Sequence, residues 1–405
     1  MSWPRRKIGE VAKVKGGKRL PKGMSVVDYQ TEHPYLRVVD FDEGGIDRSD
    51  IKYIDPEAFA RVKRYTITSN DIYISIAGTI GRVGTVPVDL SGANLTENAA
   101  KVCDISTSVD HRYLMYYLRS PEGQGSIHNR TGGTSQPKLA LFRIADIDFP
   151  YLPLQAQSRI ADILSAYDEL IENNRRRIQL LEEAARLLYR EWFVHLRFPG
   201  HEHVAVVDGV PEGWERKKIA DVCETVGGGT PSTNVAEYWD GDITWVVPTD
   251  VTRNDSLVLL DSERKITEKG LRESSAKMVP PEAILMTSRA SVGFFALMDQ
   301  PVCTNQGFIS IIPHDRNLRM YLLFNLMSRV DEIRGNAKGS TYPEISKGRF
   351  REMCVIIPSE TLVNEFSGIG KDIVDQVRCL KRTMLQLAIA RDLLLPRLLN
   401  GEISV

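Results

Sequence analysis

The chain has 405 residues, with 52 lysines and arginines against 53 aspartates and glutamates, so its formal net charge is −1. Apolar residues make up 42% and charged residues 26%, which is typical of folded globular protein and excludes a disordered chain. This length favours two or three domains. We expect neither a membrane helix, which needs about 18 consecutive apolar residues, nor a signal peptide. Five scattered cysteines form no Cys-x-x-Cys pair, which predicts reduced thiols and a cytoplasmic location.

The sequence contains an internal duplication. Residues 3–11 match residues 214–222 at an offset of 211, and three further segments match in the same order. The further matches are 79–81 with 291–293, 113–120 with 321–328, and 133–137 with 339–343. One short match could arise by chance, but four in order predict two copies of a unit of about 200 residues.

The first part of each copy, residues 1–150 and 214–357, predicts a globular domain. Short β-branched runs such as 71–76, 243–247 and 307–312 lie between turn residues and predict strands. A helical segment at 111–119, with its copy at 318–327, interrupts the strands. We therefore predict an α+β fold in which each copy has a curled, mainly antiparallel sheet.

The second part of each copy, residues 151–196 and 358–405, predicts one long helix. From Leu154 to Phe193 there is no proline or glycine, and apolar residues recur at steps of three and four. Asn174 is the one polar member of this heptad-like stripe, and in the second copy Arg391 is the one polar member. The ten slots of the first stripe are 160, 163, 167, 171, 174, 178, 181, 185, 188 and 192, and the second copy repeats them at an offset of 206.

Neither helix can bury its apolar stripe alone, so two copies in one chain favour pairing with each other. A pseudo-two-fold relation between the copies makes this coiled coil antiparallel, with Asn174 and Arg391 helping to fix its register. Each helix of about 40 residues would be roughly 60 Å long, so we expect a stiff rod with a globular domain at each end. Residues 197–213 would form the linker between the first helix and the second domain.

Common catalytic signatures are missing. The sequence has no Gly-x-x-x-x-Gly-Lys-Ser/Thr, no Gly-x-Gly-x-x-Gly, no His-Glu-x-x-His and no Asn-Pro-Pro-aromatic motif. Asp250 followed by Glu263-Arg264-Lys265 fits a nuclease arrangement in which carboxylates hold a metal ion. Such triplets are common in a chain with this charge content, so solvated strand edges are the favoured interpretation.

Basic and glycine-rich segments recur in both copies and predict a DNA-binding surface. Residues 11–27 hold five cations and no acid around Gly16-Gly17, and the second copy has Gly227-Gly-Gly-Thr-Pro-Ser232 at that place. Each copy also has a Gly-Thr/Ser loop beside cations, at 129–138 and 338–343, and matching glycine-rich turns that carry Arg82 and Arg289. Backbone amides, hydroxyls and cations suit phosphate contacts, whereas Arg, Gln and Asn can read base edges. The candidate DNA-binding residues are Lys15, Lys18, Arg19, Lys22, Thr79, Arg82, Arg130, Thr134, Ser135, Gln136, Lys138, Thr230, Ser232, Arg253, Ser288, Arg289, Lys338, Ser340, Thr341, Tyr342 and Lys347.

The chain resembles the DNA-specificity subunit of type I restriction–modification enzymes over essentially all of its length. The resemblance is carried by the two-copy layout, the paired heptad helices, Gly227-Gly-Gly-Thr-Pro-Ser with Trp245-Val-Val-Pro-Thr-Asp, and Pro153…Gln157…Ile160. The second copy departs from this pattern, because Val363 stands where a glutamine is expected after Pro358.

The resemblance implies two target-recognition domains, each reading half of a bipartite double-stranded DNA target, with the helices as a spacer. It also implies two modification subunits that bind S-adenosylmethionine and methylate adenine, and restriction subunits that use ATP and Mg. Those cofactors would belong to the partners, so this chain would be non-catalytic, without cofactor or metal of its own and without a membrane partner. The alternatives are a free-standing nuclease and a coiled-coil scaffold that binds only protein.

Overall fold

A computed structural model of the chain describes residues 3–42, 44–132, 137–339 and 342–403. The chain divides into two compact units: unit 1 comprises Met1–Ile171 and Gln386–Val405, and unit 2 comprises Glu172–Leu385. Each unit therefore contains one globular domain and one segment of each long helix. The predicted α+β class is confirmed in both units.

Unit 1 contains three small sheets. Its strands are β1 (Arg5–Lys7), β2 (Lys13–Gly16), β3 (Pro34–Leu36), β4 (Lys52–Tyr53), β5 (Ile72–Ser75), β6 (Val83–Thr85), β7 (Asn94–Leu95), β8 (Ala99–Cys103) and β9 (Asp148–Pro150). Its short helices are α1 (Ile8–Val11), α2 (Pro56–Val62), α3 (His111–Arg119), α4 (Pro121–Asn129) and α5 (Leu141–Ala145), and the long helix α6 (Leu154–Tyr189) begins after β9. The strand orders are β2-β8-β5-β6, which is antiparallel throughout, β4-β3-β7, and β1-β9.

The four-stranded sheet of unit 1 separates two apolar cores. Successive side chains of a strand point to opposite faces, and all four residues of β5 are buried. Ile72 and Ile74 pack in the core that contains α3 and the start of α6, whereas Tyr73 stacks on Phe41 in the core on the other face, with ring centroids 4.0 Å apart. Apolar side chains therefore pack against both faces of the sheet.

Unit 2 repeats this arrangement. Its strands are β10 (Val206–Val207), β11 (Val210–Pro211), β12 (Glu215–Lys218), β13 (Cys223–Gly227), β14 (Trp239–Val246), β15 (Lys265–Ile266), β16 (Met278–Val279), β17 (Ile284–Thr287), β18 (Phe295–Leu297), β19 (Val302–Thr304), β20 (Phe308–Pro313) and β21 (Cys354–Ile357). Its short helices are α7 (Ile219–Val222), α8 (Pro248–Thr252), α9 (Glu268–Arg272), α10 (Leu318–Ser328), α11 (Val330–Gly335) and α12 (Lys347–Arg351), and the second long helix is α13 (Glu360–Leu399). The order β13-β20-β17-β18 matches β2-β8-β5-β6 of unit 1, and the β10–β11 hairpin lies in the segment predicted as a linker.

The two long helices pair within each unit, and the paired segments are antiparallel as predicted. As the residue number rises along α6, the number of the neighbouring residue on α13 falls. In unit 1, Leu164 shares a core with Leu395 and Asp168 pairs with Arg391. In unit 2, Ala185 shares a core with Val374, and Tyr189 packs on Phe366 with ring centroids 5.9 Å apart. Among the described residues, no helix is both long enough and apolar enough to cross a membrane.

The predicted heptad stripe is wrong at one slot in each helix. Ile163 and Ile369, which are equivalent, are 37% and 41% exposed. Their neighbours Leu164 and Gly370 are buried instead, and a β-carbon added to Gly370 would lie 3.1 Å from Met320 Cβ of α10. Each helix packs against its globular domain as well as against the other helix, so the buried line follows two surfaces and departs from a strict 3.5-residue repeat.

The two helix entries differ in the way that the sequence indicated. Gln157 is fully buried, where its amide accepts a hydrogen bond from Asp110 N–H (3.0 Å) and donates to Leu152 O (2.7 Å) and Ser108 O (3.2 Å). This side chain satisfies three backbone groups that would otherwise be buried without partners. In unit 2 the equivalent Val363 is buried in an apolar core.

Candidate nucleic-acid interface

Four loops lie together at one edge of the four-stranded sheet in unit 1. Loop 1 (17–23) follows β2, loop 2 (76–82) joins β5 to β6, loop 3 (96–98) joins β7 to β8, and loop 4, of which residues 130–132 and 137–138 are described, follows α4. Because β8 is antiparallel to both β2 and β5, the end of β2, the start of β8 and the end of β5 meet at the same edge. The links between the loops are hydrogen bonds from Lys18 N–H to Leu95 O (2.9 Å), from Ile76 N–H to Asn98 O (2.8 Å) and from Leu139 N–H to Ile76 O (3.0 Å).

The same four loops recur in unit 2 as residues 228–234, 288–294 and 305–307, and as the described residues 336–339 and 342–344. The equivalent links run from Gly229 N–H to Thr304 O (2.9 Å), from Ser288 N–H to Gly307 O (2.7 Å) and from Ile345 N–H to Ser288 O (3.0 Å). We call this arrangement of four loops the loop row of each unit. The repeated fold thus presents two copies of one backbone frame with different side chains.

Loop 1 begins with a glycine that the packing requires in both units. A β-carbon on Gly17 would overlap the carbonyl oxygens of Leu95 and Thr96, and one on Gly228 would overlap the equivalent carbonyls of unit 2. Only glycine allows two backbones to approach so closely. Loop 1 therefore packs directly on the end of the strand that leads into loop 3.

An aromatic side chain ties loop 1 to the second sheet of each unit. Tyr35 OH donates to Lys18 O in unit 1 (3.0 Å), and Trp245 Nε1–H donates to Gly229 O in unit 2 (2.9 Å). The two aromatic residues occupy equivalent positions, because β3 pairs in parallel with β7 as β14 does with β19. The position of loop 1 is thus fixed from two sides.

A second tryptophan and an arginine reinforce this tie in unit 2. The Arg264 guanidinium lies 3.9 Å from the centre of the Trp239 ring, and Trp239 meets Trp245 edge-on at 5.0 Å. Trp239 Nε1–H also donates to Ser232 O in loop 1 (3.1 Å). Arg264 therefore has a structural role.

The structure brings most of the predicted DNA-binding residues of unit 1 into the loop row. The loop row contains Lys18, Arg19 and Lys22 in loop 1, Thr79 and Arg82 in loop 2, and Arg130 and Lys138 in loop 4. Lys15 lies on β2, and its ammonium pairs at 3.1 Å with Asp104, which follows the opposite end of β8. This hydrogen bond, more than that from Lys13, lowers the pKa of Asp104. Lys15 is therefore drawn toward the edge of the sheet that lies away from the loop row.

Two arginines of the unit 1 loop row bond to backbone carbonyls. Arg82 donates from Nη1 to Phe41 O (2.6 Å), and Arg130 donates from Nη2 to Asp146 O (3.1 Å). Arg143, which the sequence prediction did not include, donates to Arg130 O (2.7 Å) and supports the base of loop 4.

In unit 2 the predicted residues are more dispersed. Thr230 and Ser232 are in loop 1, Ser288 and Arg289 in loop 2, and Lys338 and Tyr342 in loop 4, while Lys347 in α12 packs against Gly227. Ser288 is buried and contributes backbone hydrogen bonds, and Arg253 follows α8, outside the four loops. Arg82 and Arg289 lie in matching turns but not at matching positions. Arg289 forms an antiparallel backbone bridge with Glu344, as Ala77 does with Lys138, so Arg289 is equivalent to Ala77. The predicted residues Thr134, Ser135, Gln136, Ser340 and Thr341 lie outside the described residues.

Sequence reasoning missed loop 3. Arg19 donates from Nε to Glu97 Oε1 (2.6 Å), and Thr230 donates to Gln306 Oε1 in the equivalent place. Burial alone would raise the pKa of Glu97. The hydrogen bonds from Arg19, from the backbone N–H of Glu97 and from Thr96 outweigh it and hold that pKa below its usual value. The repeat carried a signal for these residues, because 96–98 and 305–307 join equivalent strands and each contains adjacent polar residues.

Two of the candidate nuclease residues, Asp250 and Lys265, have structural partners. Asp250 Oδ2 accepts hydrogen bonds from Val247 N–H (2.9 Å) and Ser262 Oγ (2.8 Å), so it caps the short helix α8. Lys265 pairs with Asp261 at 3.1 Å. Among the described residues, no group of three or more His, Cys, Asp and Glu side chains is arranged to hold a metal ion.

The fold defines a class of protein with two tandem α+β domains, each carrying a loop row, and two long helices paired within each unit. The sequence profile of the type I restriction modification DNA specificity domain matches residues 2–183 and 211–371. The chain belongs to this family.

Named relatives agree with this assignment, and a solved structure shares the fold. The chain is 40% identical over 152 residues to the type I restriction enzyme MjaIX specificity subunit of Methanocaldococcus jannaschii, a match that covers 37% of this chain and 35% of that protein. It is 25% identical over 329 residues to the HindI specificity subunit of Haemophilus influenzae, covering 66% of this chain and 71% of that one. A crystal structure of the S subunit of a type I restriction-modification system from M. genitalium shares the fold, with a TM-score of 0.60, 16% identity, and coverage of 98% of this chain and 96% of that chain.

Proposed function

We propose that this chain is the DNA-specificity subunit of a type I restriction–modification complex, in which each unit reads one half of a bipartite target. The observation that carries the proposal is the repeated loop row, because one backbone frame with two sets of side chains suits two half-sites of different sequence. Cations and hydroxyl groups of the loops would contact phosphates, and side chains with paired donors and acceptors would read bases. The chain itself would be non-catalytic and would act in the cytoplasm.

The long helices would hold partner subunits. Both helices expose large apolar side chains that are about half accessible. They are Leu170, Ile389 and Leu393 in unit 1, and Leu180, Leu187 and Leu385 in unit 2. On α13 they recur every four residues, at 385, 389 and 393, so they lie on one face of the helix, and a contiguous exposed apolar patch marks a protein-interaction surface. We expect two modification subunits, which would supply S-adenosylmethionine and methylate adenine, and restriction subunits, which would supply the ATP- and Mg-dependent steps.

The proposal is tested by expressing this chain with its modification subunit and mapping methylated adenines in the host DNA. We expect methylation at a bipartite motif that is absent when the modification subunit is expressed alone. Methylation that does not depend on this chain would contradict the proposal and would leave the chain as a scaffold for protein alone. Magnesium-dependent cleavage of DNA by the isolated chain would instead favour a nuclease.

A further inference from the structure

In each unit one pair of side chains links loop 1 to loop 3. Both members of the pair differ in chemistry between the two units. In unit 1 the pair is Arg19 with Glu97, and in unit 2 it is Thr230 with Gln306. The two pairs are equivalent, because the backbone bonds from Lys18 to Leu95 and from Gly229 to Thr304 place them in the same register. An ion pair in one unit thus stands where the other has a neutral hydrogen bond.

The two pairs present donors and acceptors at the surface. The Arg19 side chain is 80% exposed, and only its Nε–H is used by Glu97. Within the described ranges, the two Nη groups of Arg19 have no acceptor, and the Gln306 Nε2 amide has none either. Gln306 Oε1 accepts from Thr230 and keeps a second lone pair for another donor. Each unit therefore presents one planar group that can form two parallel hydrogen bonds, the Arg19 guanidinium in unit 1 and the Gln306 carboxamide in unit 2.

These groups are held in place by the surrounding structure. Thr96 Oγ1 donates to Glu97 Oε2 (3.0 Å), so the carboxylate that orients Arg19 is itself oriented. Loop 1 below each pair is fixed by its close-packed glycine and by the Tyr35 or Trp245 hydrogen bond. Recognition of a base edge needs such preorganisation, because a mobile side chain would lose its geometric selectivity.

We propose that this pair determines specificity in each unit: Arg19 reads a guanine in the half-site of unit 1, and Gln306 reads an adenine in the half-site of unit 2. A fixed guanidinium donates two parallel hydrogen bonds to guanine O6 and N7, and a carboxamide accepts from adenine N6 and donates to N7. The inference rests on the proposed function, since it names the residues through which the two units distinguish their sequences.

The test exchanges the pair between units in the full chain, expressed with its modification subunit. The variant Arg19→Thr with Glu97→Gln gives unit 1 the pair of unit 2, and Thr230→Arg with Gln306→Glu does the reverse. Arg48→Thr with Asp89→Asn is the matched control, because it removes an exposed two-pronged ion pair of unit 1 (2.8 Å for both bonds) that lies outside the loop row. The readout is the methylated motif.

We expect the first exchange to lower the preference for guanine at one position of the unit 1 half-site by roughly ten- to a hundredfold, with the unit 2 half-site unchanged. The reverse exchange should lower the preference for adenine at one position of the unit 2 half-site alone, and the control should keep the original motif. If both exchanges methylate the original motif as the control does, or if the unit 1 half-site contains no G·C pair, the pair does not read bases. Failure of the proposed function would look different, because the unaltered chain would then direct no sequence-specific methylation.

Discussion

The two units differ in chemistry where their globular domains meet the long helices. In unit 1 this junction is polar: Asp168 of α6 accepts hydrogen bonds from Tyr116 (2.7 Å) and Arg119 (3.2 Å) of α3 and pairs with the buried Arg391 of α13. In unit 2 the equivalent residues are Val374, Phe324, Met327 and Ala185, and the junction is apolar. One backbone frame therefore accepts either an ionic or an apolar junction, provided that all members change together.

The difference also has an energetic side. Burial of an ion pair costs desolvation free energy, so an apolar junction of the same shape is commonly as stable or more stable. Removal of one charged partner is far more harmful, because it leaves the other charge buried alone. We therefore expect the two junctions to respond differently to single and to combined substitutions.

Phe366→Ala should have the largest effect. Phe366 is fully buried and packs on Phe193 and Phe324, with ring centroids 5.1 Å and 5.8 Å apart, so its truncation should lower the free energy of unfolding of unit 2 by about 3–5 kcal/mol. Tryptophan fluorescence during urea unfolding measures this, because four of the five tryptophans lie in unit 2. The matched control is Ile369→Ala, three residues further along α13 and 41% exposed. Equal losses in both variants would mean that the aromatic cluster does not hold the junction.

Arg391→Ala should lower the free energy of unfolding of unit 1 by up to about 3 kcal/mol, because it removes one of the two charged partners of Asp168, whose carboxylate keeps Arg119. Most of this loss should be recovered when Asp168→Val, Tyr116→Phe and Arg119→Met are added, which gives unit 1 the junction of unit 2. Amide hydrogen exchange in α3 and in residues 154–171 of α6 measures the stability of unit 1. A combined variant less stable than Arg391→Ala would show that the two junctions are not interchangeable.

Glu182→Gln should have the smallest effect, and that effect should depend on pH. Burial raises the pKa of Glu182, although the carboxylate accepts a hydrogen bond from Leu257 N–H (2.6 Å). A raised pKa in the folded state means that Glu182 contributes most below its unfolded pKa and that this contribution is lost as the pH rises through the folded pKa. The glutamine keeps the acceptor and does not titrate, so the variant should gain stability relative to the wild type as the pH rises from 4.5 to 7.

Urea unfolding of unit 2 at these two pH values measures the Glu182 effect. The neighbouring Glu183 is exposed, so Glu183→Gln should show no such trend. A pH trend of equal size in both variants would assign it to overall charge. In unit 1 the equivalent position is Ala388, which cannot titrate.

The sequence was sufficient for those features that leave a local or repeated pattern. The duplication predicted two similar α+β domains, and the apolar steps of three and four predicted α6, α13 and their antiparallel pairing. The exposure of Ile163 and Ile369 could not be read from this pattern, because it depends on the globular domain that occupies the other side of each helix. Contacts with that domain bury the adjacent residues, Leu164 and Gly370, instead.

The candidate site was predictable in its loops but only partly in its side chains. Glycine and cation content identified loops 1, 2 and 4, whereas loop 3 has no cation in either unit and is brought to loop 1 by strand pairing. Glu97 is 78 residues from Arg19 in sequence, so their ion pair leaves no local signal. The pairing of Lys15 was missed for the same reason, because its partner Asp104 is 89 residues away in sequence.

We propose that each unit reads its own half-site through its own loop row. The most direct test replaces residues 214–357 by the equivalent domain of another specificity subunit with a known target, and maps the methylated motif by sequencing the host DNA. We expect one half of the motif to change to that of the donor, while the half read by unit 1 stays as it was. A motif in which both halves change, or in which neither does, would contradict the claim.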